Sequence, residues 1–196
     1  GNTPFRLYKQ NQHEGGISSP LIAHWPKGIK AKPGSITRQP GHLVDFMATF
    51  IDVAKATYPK QVEERKIDPL VGKSLLPILQ GKKREGHETL YFHFGTDRAL
   101  RQRSWKLVSA KLGRWELYDL DKDRTETNDL AVKYPERVKE MSQKWFEIAR
   151  DTERLKGRHV SPVKESLAKL NFRRDTSAGS AVSGKRRSEK NKDKKN

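Results

Sequence analysis

Apolar positions in the first third of the chain change from a strand-like run to a helical pattern. Residues 20–26 form a short apolar run closed by proline at both ends, which predicts a buried strand leading into a loop. Over residues 42–56, apolar side chains recur three and four positions apart, which predicts a helix. They are Leu43, Phe46, Met47, Phe50 and Ala54, with Val44, Ile51 and Val53 widening the apolar face. A face this wide favours a helix covered by its neighbours, as in an α/β layer.

Residues 58–81 show no regular spacing of apolar residues. Proline and glycine interrupt short apolar stretches there, at Pro59, Pro69, Gly72, Pro77 and Gly81. This pattern predicts an irregular connection with one helical turn near residues 75–79.

Four short segments between residues 89 and 120 have the composition of strands. They are residues 89–94, 98–103, 105–109 and 115–120, which are rich in aromatic and β-branched side chains. The turns between them contain Gly95 and Gly113. Short strands joined by short turns predict a small antiparallel sheet.

A helix is predicted to follow this sheet. Pro135 and Glu136 mark its start, because proline is tolerated at the first helical position and an acid is favoured in the first turn. Apolar residues then recur at helical spacing, at Val138, Met141, Trp145, Ile148 and Ala149. We expect this stripe to lie on the sheet. Beyond Gly157 the pattern predicts no further element.

The charge of the chain favours anionic partners. Lysine and arginine number 41 against 24 aspartate and glutamate residues, for a formal net charge of +17, which attracts polyanions over long range. Residues 173–196 hold nine of the basic residues and three acids, with almost nothing apolar. Ordering such a segment brings no hydrophobic return, so we predict a disordered basic tail over residues 157–196.

The tail allows a second interpretation, a noncatalytic basic module that binds polyanions through charge alone. A solvated extension without a partner explains the same composition. Lys185, Arg186 and Arg187 have no aromatic residues between them. Stacking on bases requires aromatic side chains, so specific binding of nucleic acid is not predicted.

Several classes of site are absent from the sequence. Without cysteine, the chain has no disulfide, thiolate metal site or cysteine nucleophile, and no apolar run is long enough for a signal peptide or membrane span. Because the chain begins with Gly1 rather than methionine, we interpret it as a cut inside a longer protein. Asp119, Asp121 and Asp123 imitate the opening of a calcium loop, but the glycine and glutamate that complete such a loop are missing. We therefore predict a polar turn there and no metal ligands in this chain.

The most specific local feature is a loop that begins at Lys9. Four residues separate Lys9 from Glu14-Gly15-Gly16, and His13 stands directly before the glutamate. A cation, a histidine and paired glycines on one loop could hold a small anion, because glycine lets the backbone approach closely. A surface loop with a glycine turn explains the same motif, since short motifs often match by chance.

The order of these features resembles the sulfatases of the arylsulfatase type, within the alkaline-phosphatase-like superfamily. Residues 9–20 look like the family's K-x4-E-G-G-[IV]-x-x-P loop, and residues 21–26 look like the strand that follows, with its Trp-Pro end. Residues 40–54 are similar to the next helix, and residues 98–108 and 115–130 resemble the C-terminal subdomain. The resemblance covers residues 4 to about 152.

The resemblance implies roles for the residues of the loop. Lys9 matches the family lysine that binds a sulfate oxygen, where a fixed positive charge steadies the negative charge that develops during S–O cleavage. Glu14 is expected to hold the loop through hydrogen bonds to backbone. Gly15 and Gly16 are expected to shape the loop rather than to contact substrate.

Three further residues are candidates for substrate binding by the same resemblance. His13 stands beside the motif, although an exposed loop histidine without a role is the alternative. His93 and Arg98 lie at the turn of the predicted sheet that can approach the substrate pocket in this family. For Arg98 the alternative is pairing with acids of the catalytic layer. Many sulfatases have arginine where Ser18 stands, so the contact made by that arginine is left open here.

The function implied by the resemblance is hydrolysis of sulfate esters, with sulfated polysaccharides as one substrate class, to an alcohol or phenol and sulfate. Such enzymes use a formylglycine made from Cys or Ser in a C/S-x-P-x-R context, and a calcium ion held by aspartates and an Asp-Asn pair. This chain contains neither. We therefore expect the full-length protein to supply both and the chain alone to be inactive. A phosphotransferase or phosphodiesterase of the same superfamily is the alternative enzyme class, and a periplasmic or secreted full-length protein is expected.

The predicted fold is α/β. Residues 1–82 are expected to form the C-terminal portion of an alkaline-phosphatase-like α/β/α catalytic domain. Residues 83–156 are expected to form a small four-stranded antiparallel sheet with a packed C-terminal helix.

Overall fold

The computed structural model describes residues 2–153, and the tail predicted over residues 157–196 lies outside this range. The helices are α1 (Glu14–Ile17), α2 (Asp45–Ala54), α3 (Leu76–Leu79) and α4 (Pro135–Thr152). The strands are β1 (Gln61–Val62), β2 (Arg65–Lys66), β3 (Thr89–Phe94), β4 (Asp97–Gln102), β5 (Trp105–Ser109) and β6 (Glu116–Asp119). Within the described range, every helix is too short or too polar to cross a membrane.

Strands β3 to β6 form one antiparallel sheet in chain order, which confirms the predicted sheet. The bounds of β3 and β5 are those predicted, and β4 and β6 differ from the prediction by a residue at their ends. The register places His93 opposite Arg98 and Lys106 opposite Tyr118. Successive side chains of a strand point to opposite faces, so Lys106 and Leu107 lie on different sides of the sheet.

One face of the sheet packs against α4 and forms the main core. The buried side chains are Leu100, Leu107 and Leu117 from the sheet and Met141, Trp145 and Ala149 from the helix. The three helix residues are four positions apart and therefore share one face, as the sequence predicts. Burying a leucine or methionine side chain contributes about 1.5–3 kcal/mol. The indole N–H of Trp145 also donates a hydrogen bond to the carbonyl oxygen of Phe92, at 3.2 Å.

The second face of the sheet combines a small apolar cluster with charged side chains. Ala99, Val108, Tyr118 and Leu120 form the cluster, and the fully buried side chain of Lys106 lies on the same face. The start of the chain covers this face, since Arg6 contacts Glu116 of β6 and Glu14 contacts Lys106 of β5. Residues 6–16 therefore lie on one side of the sheet, and helix α4 lies on the other.

Helix α2 is shorter and more exposed than its pattern predicts. Leu43, Met47 and Phe50 are 76%, 53% and 65% exposed, whereas Asp45 and Thr49 are buried. The buried polar side chains accept hydrogen bonds from the backbone N–H groups of residues 73 and 75. Because these bonds hold the polar side of the helix against its neighbours, the expectation of a covered apolar face is wrong for the described residues.

The strand predicted over residues 20–26 is absent. These residues have no regular structure, and Ile22 is 90% exposed. A strand requires a neighbour that pairs with its N–H and C=O groups. None of the six described strands pairs with this segment, so the apolar pattern alone is not sufficient to form one.

The connection over residues 58–81 contains the predicted helical turn as α3 and one hairpin that was not predicted. In this hairpin, Gln61 pairs with Lys66 and Val62 pairs with Arg65. All four residues are exposed. Two-residue strands that bury nothing leave no hydrophobic alternation, so the sequence contains no signal for them.

Candidate functional site

Lys9 lies near the tip of a closed loop, residues 6–16, which we call the Lys9 loop. The backbone N–H of Gly15 donates to the carbonyl oxygen of Arg6 at 2.9 Å and closes the loop. A second bond, from the N–H of Asn11 to the oxygen of Tyr8 at 3.1 Å, forms a turn around Lys9. The Lys9 side chain is exposed, and no acid within residues 2–153 forms an ion pair with it. Its ammonium group is available for an anion.

The two glycines of the motif are required by close backbone contacts. A Cβ atom on Gly15 would lie 2.2 Å from the carbonyl oxygen of Leu7. A Cβ atom on Gly16 would lie 2.0 Å from the carbonyl oxygen of Asn11. Both distances are far inside van der Waals contact, so only glycine fits without moving the loop.

The backbone on both sides of Lys9 adopts an unfavourable conformation. Leu7 has a φ of 62° and Gln10 a φ of 77°, in the left-handed region that residues other than glycine rarely adopt. Each such residue costs on the order of 1–3 kcal/mol and persists only where the surroundings hold it in place. The Lys9 loop therefore needs contacts that fix it from outside.

A buried ionic cluster supplies one such contact. The ammonium nitrogen of Lys106 lies 2.8 Å from Oε1 of Glu14 and 2.8 Å from Oε1 of Glu126. The other carboxylate oxygen of Glu126 accepts a hydrogen bond from the backbone N–H of Glu14 at 2.7 Å. We call Glu14, Lys106 and Glu126 the Lys106 cluster. The sequence suggests that the Glu14 carboxylate accepts hydrogen bonds from the backbone. Instead, this carboxylate pairs with Lys106, and the backbone N–H of Glu14 donates to Glu126.

A second polar cluster fixes the beginning of the loop. Arg6 Nη1 donates to Oε2 of Glu116 and to the hydroxyl oxygen of Tyr118, both at 2.7 Å. The Tyr118 hydroxyl donates to the same carboxylate. Burial acts to raise the pKa of Glu116, but hydrogen bonds from Tyr118, His13 and Arg6 outweigh it and lower that pKa. Glu116 is therefore charged at neutral pH.

His13 is fully buried, so the alternative of an exposed loop histidine is wrong. Its Nε2 lies 3.3 Å from Oε2 of Glu116, and its Nδ1 has no hydrogen-bond partner within the described residues. Burial lowers the pKa of His13, against the opposing charges of Glu126 and Glu116. His13 is therefore neutral at pH 7, and its contact with substrate stays a prediction.

His93 and Arg98 are neighbours on the α4 side of the sheet. His93 Nδ1 lies beside Oε1 of Glu153, and Nε2 lies 3.0 Å from the carbonyl oxygen of Gly95. Arg98 Nη2 donates to Oγ of Ser109 at 2.9 Å. The structure brings this pair together but separates it from the Lys9 loop by the sheet, so its role in substrate binding stays a prediction.

The guanidinium of Arg98 lies 4.4 Å above the ring of Trp115, where a cation–π attraction stabilises it. Burial lowers the pKa of Arg98 to about 10, so it is charged at neutral pH. Pairing of Arg98 with an acid, the alternative suggested by the sequence, does not occur within the described part of the chain.

An open cleft of about 530 Å³ lies beside Arg6 on the loop side of the sheet. It is lined by Pro4, Arg6, Arg114, Glu116, Tyr118, Thr125, Glu126, Thr127 and Asp129. Lys9 is not part of this lining, and neither are His93 and Arg98. This cleft therefore does not include the lysine predicted to bind sulfate.

The residues present do not fit a calcium ion. Across residues 2–153, no three His, Cys, Asp or Glu side chains are arranged to hold a metal. Asp123 instead accepts hydrogen bonds from the backbone N–H groups of Thr127 and Asn128, both at 2.8 Å. These bonds form the polar turn that the sequence predicts in place of a calcium loop.

Sequence reasoning assigned no role to Lys106, Glu126 or Glu116. One signal was present, because Lys106 stands between apolar residues of a predicted strand, and a charge buried in a strand needs a partner. The sequence could not identify Glu14 and Glu126 as the partners, since they are 92 and 20 positions away along the chain.

The chain is similar in sequence and fold to proteins of known kind. A sulfatase of Formosa agariphila is 28% identical over 151 residues, which cover 68% of this chain and 26% of that protein. The N-acetylglucosamine-6-O-sulfatase of Bacteroides thetaiotaomicron is 29% identical over 140 residues, covering 63% and 23% of the two chains. The structure of Ps i-CgsB in complex with k-i-k-neocarrahexaose superimposes with a TM-score of 0.57 at 24% identity, over 74% of this chain and 31% of that one.

The fold is alkaline-phosphatase-like, and the class of protein is the sulfatases, of which this chain is a C-terminal part. The family model described as "N-sulphoglucosamine sulphohydrolase, C-terminal" matches residues 5–151. The chain belongs to this sulfatase family. It spans about a quarter of the length of the first relative.

Proposed function

We propose that the full-length protein containing this chain is an arylsulfatase-type sulfuric ester hydrolase, and that Lys9 binds the sulfate group. One observation carries the assignment of Lys9. Its ammonium group is exposed and unpaired within the described residues, on a loop whose two ends are fixed to the sheet by buried polar contacts. A free cation on a fixed backbone is suited to bind an oxyanion without reorganisation.

Lys9 contributes to the reaction as a fixed positive charge. Cleavage of the S–O bond places additional negative charge on the sulfate oxygens and on the leaving oxygen. A lysine held in advance at this position stabilises the transition state more than the ground state, and this difference is what accelerates the reaction. The Lys9 loop must therefore keep its geometry when substrate binds.

The nucleophile and the calcium ion of the proposed reaction lie outside the described residues. No group of three His, Cys, Asp or Glu side chains within residues 2–153 could hold a metal ion, and the sequence has no Cys or Ser in the C/S-x-P-x-R context from which formylglycine forms. We derive no step through either group. We expect the chain alone to be inactive for this reason.

The proposed substrate is a sulfated saccharide. The names of the family and of the Bacteroides thetaiotaomicron relative both refer to sulfated glucosamine derivatives, which supports this substrate class over a simple aryl sulfate. A sulfated polysaccharide is a large extracellular molecule, which fits a periplasmic or secreted enzyme.

The experiment that tests the proposed function compares sulfate and phosphate esters. The full-length protein is incubated with a 6-O-sulfated glucosamine oligosaccharide, with 4-nitrophenyl sulfate and with bis(4-nitrophenyl) phosphate, and the released sulfate or nitrophenol is measured. We expect sulfate release from the sulfate esters and far slower cleavage of the phosphodiester. Preferential cleavage of the phosphodiester would instead support the alternative enzyme class.

A further inference from the structure

The sheet provides a rigid reference point next to the Lys9 loop. Lys106 is the second residue of β5, and its cross-strand neighbours are Arg101 of β4 and Tyr118 of β6. Backbone pairing on both sides fixes the position of its Cα atom. The side chain is fully buried, so the position of its ammonium nitrogen is also fixed.

The Lys106 cluster is buried throughout. The side chains of Lys106, Glu14 and Glu126 are 0%, 3% and 0% exposed. Charges buried in this way attract each other strongly, and loss of one partner leaves the others uncompensated. Glu14 therefore has one strongly preferred position. The ammonium group of Lys106 holds its carboxylate, and the carboxylate of Glu126 holds its backbone N–H.

The position of Glu14 determines the path of the Lys9 loop. Glu14 is the first residue of α1, and the next residue, Gly15, closes the loop through its bond to Arg6. Arg6 is held in turn by Glu116. The seven residues from Leu7 to His13 span the interval between these fixed points, with strained backbone at Leu7 and Gln10.

We propose that Lys106 is a positioning residue for Lys9, acting through Glu14 to set the backbone that carries the Lys9 ammonium group. This inference rests on the proposed function for its effect on catalysis. Its structural part, the control of the Lys9 loop by Lys106, does not depend on the protein having this activity.

A merely stabilising role of Lys106 gives a different result from a positioning role. If Lys106 only stabilises the fold, its loss weakens the sheet and lowers activity whether or not Lys9 is present. If Lys106 acts through Lys9, its loss has little further effect once Lys9 has been removed. Interacting residues are therefore distinguished by the non-additivity of their substitutions.

The experiment is a double-mutant cycle in the full-length sulfatase, with Lys106→Met, Lys9→Ala and the double variant. We expect Lys106→Met to lower kcat roughly tenfold to 100-fold, the scale of a small misplacement of a catalytic group. In the Lys9→Ala background we expect a further fall of less than about twofold. Lys106→Arg, which keeps the charge, should restore part of the rate. Lys122→Met is the matched control, because Lys122 is 84% exposed, and it should leave kcat unchanged.

Hydrogen exchange of the same variants gives a readout without activity. Lys106→Met should increase amide exchange in Glu14–Ile17 while exchange in β4 stays as in the wild type. Glu126→Gln, which preserves the size of the side chain, should produce the same pattern and replaces Lys106→Met if that variant does not fold.

Two results would overturn the inference. One is unchanged exchange of α1 in Lys106→Met and Glu126→Gln, and the other is a fall in kcat that is equally large with and without Lys9. A protein without sulfatase activity would contradict the proposed function instead, and the exchange measurement would still decide whether Lys106 controls the loop.

Discussion

Asp45 is fully buried at the start of α2 and accepts hydrogen bonds from several directions. The backbone N–H groups of His42 and Lys73 donate to it at 2.9 Å each. Arg84 Nη2 donates at 2.9 Å, and His87 Nε2 lies against the second oxygen. Burial acts to raise the pKa of Asp45, but these bonds outweigh it and lower the pKa to about 2. A single carboxylate thus joins the helix to two later segments of the chain.

Replacing Asp45 by alanine should destabilise the chain by about 3–5 kcal/mol, because Arg84 is left buried without its partner. Asp52→Ala on the same helix is the control, since Asp52 is exposed and should change stability by less than about 0.5 kcal/mol. Urea unfolding gives both free energies. Equal effects of the two substitutions would contradict this account.

Because the pKa of Asp45 is lowered on folding, its contribution to the free energy of unfolding is present above pH 3.8 and is lost as the pH falls towards about 2.

His13 should make the stability of the chain depend on pH between neutrality and mild acid. Burial lowers its pKa, so the unfolded chain binds a proton more readily than the folded chain, and stability falls as the pH drops below the ordinary value of about 6.5. Glu116 and Glu126 oppose this shift and Arg6 adds to it.

The measurement is the free energy of unfolding at about pH 7.5 and about pH 5.5, for the wild type and for His13→Gln. The variant cannot titrate at this position, so it should lose less stability on acidification. The comparison also cancels the contribution of His42, whose pKa burial lowers in the same direction. An identical pH dependence in both proteins is the result that this account excludes.

At the scale of elements, helix α1 depends on backbone contacts that allow no side chain. Gly16→Ala places a Cβ atom 2.0 Å from the carbonyl oxygen of Asn11, so the turn around Lys9 has to move. We expect a loss of about 1–3 kcal/mol in unfolding free energy, as for other overpacked positions. Gly86→Ala is the matched control, because a Cβ atom there meets nothing within 4 Å. Similar stability of the two variants would show that the close contact is not important.

The sheet and α4 could be predicted from sequence because each has a partner within the described chain. Met141, Trp145 and Ala149 of α4 pack against one face of the sheet, so the local pattern and the tertiary contact agree. For residues 20–26 and the apolar side of α2, the local pattern is equally clear, but no described element covers them. Periodicity reports which residues favour burial and does not report whether a partner is present.

The motif of the candidate site could be predicted from the sequence, but the contacts that hold the Lys9 loop in place could not. The spacing of Lys9, Glu14 and the glycines is visible along the chain. The Lys106 cluster joins residues that lie far apart in sequence, and charge pairs of this kind leave no periodic pattern. Resemblance to known sulfatases located the loop, and the structure was needed to find what holds it.

At the scale of the whole molecule, the sheet separates two environments. Its α4 side is a hydrophobic core with Arg98 stacked on Trp115. Its other side receives the Lys9 loop through the Lys106 cluster and the contacts of Arg6. The C-terminal sheet thus serves as the support on which the Lys9 loop, from an earlier part of the chain, is fixed.

The central claim is that Lys9 binds sulfate in the full-length enzyme, and the measurement that tests it most directly is the turnover of a sulfated oligosaccharide by Lys9→Ala. We predict a fall in kcat on the order of 100-fold to 1,000-fold, as for loss of one donor to a developing oxyanion. Unfolding free energy should be unchanged, because the side chain is exposed and unpaired within the described residues. Lys27→Ala, an exposed lysine in the following segment, should retain wild-type turnover. A kcat for Lys9→Ala within about twofold of the wild-type value would contradict the claim.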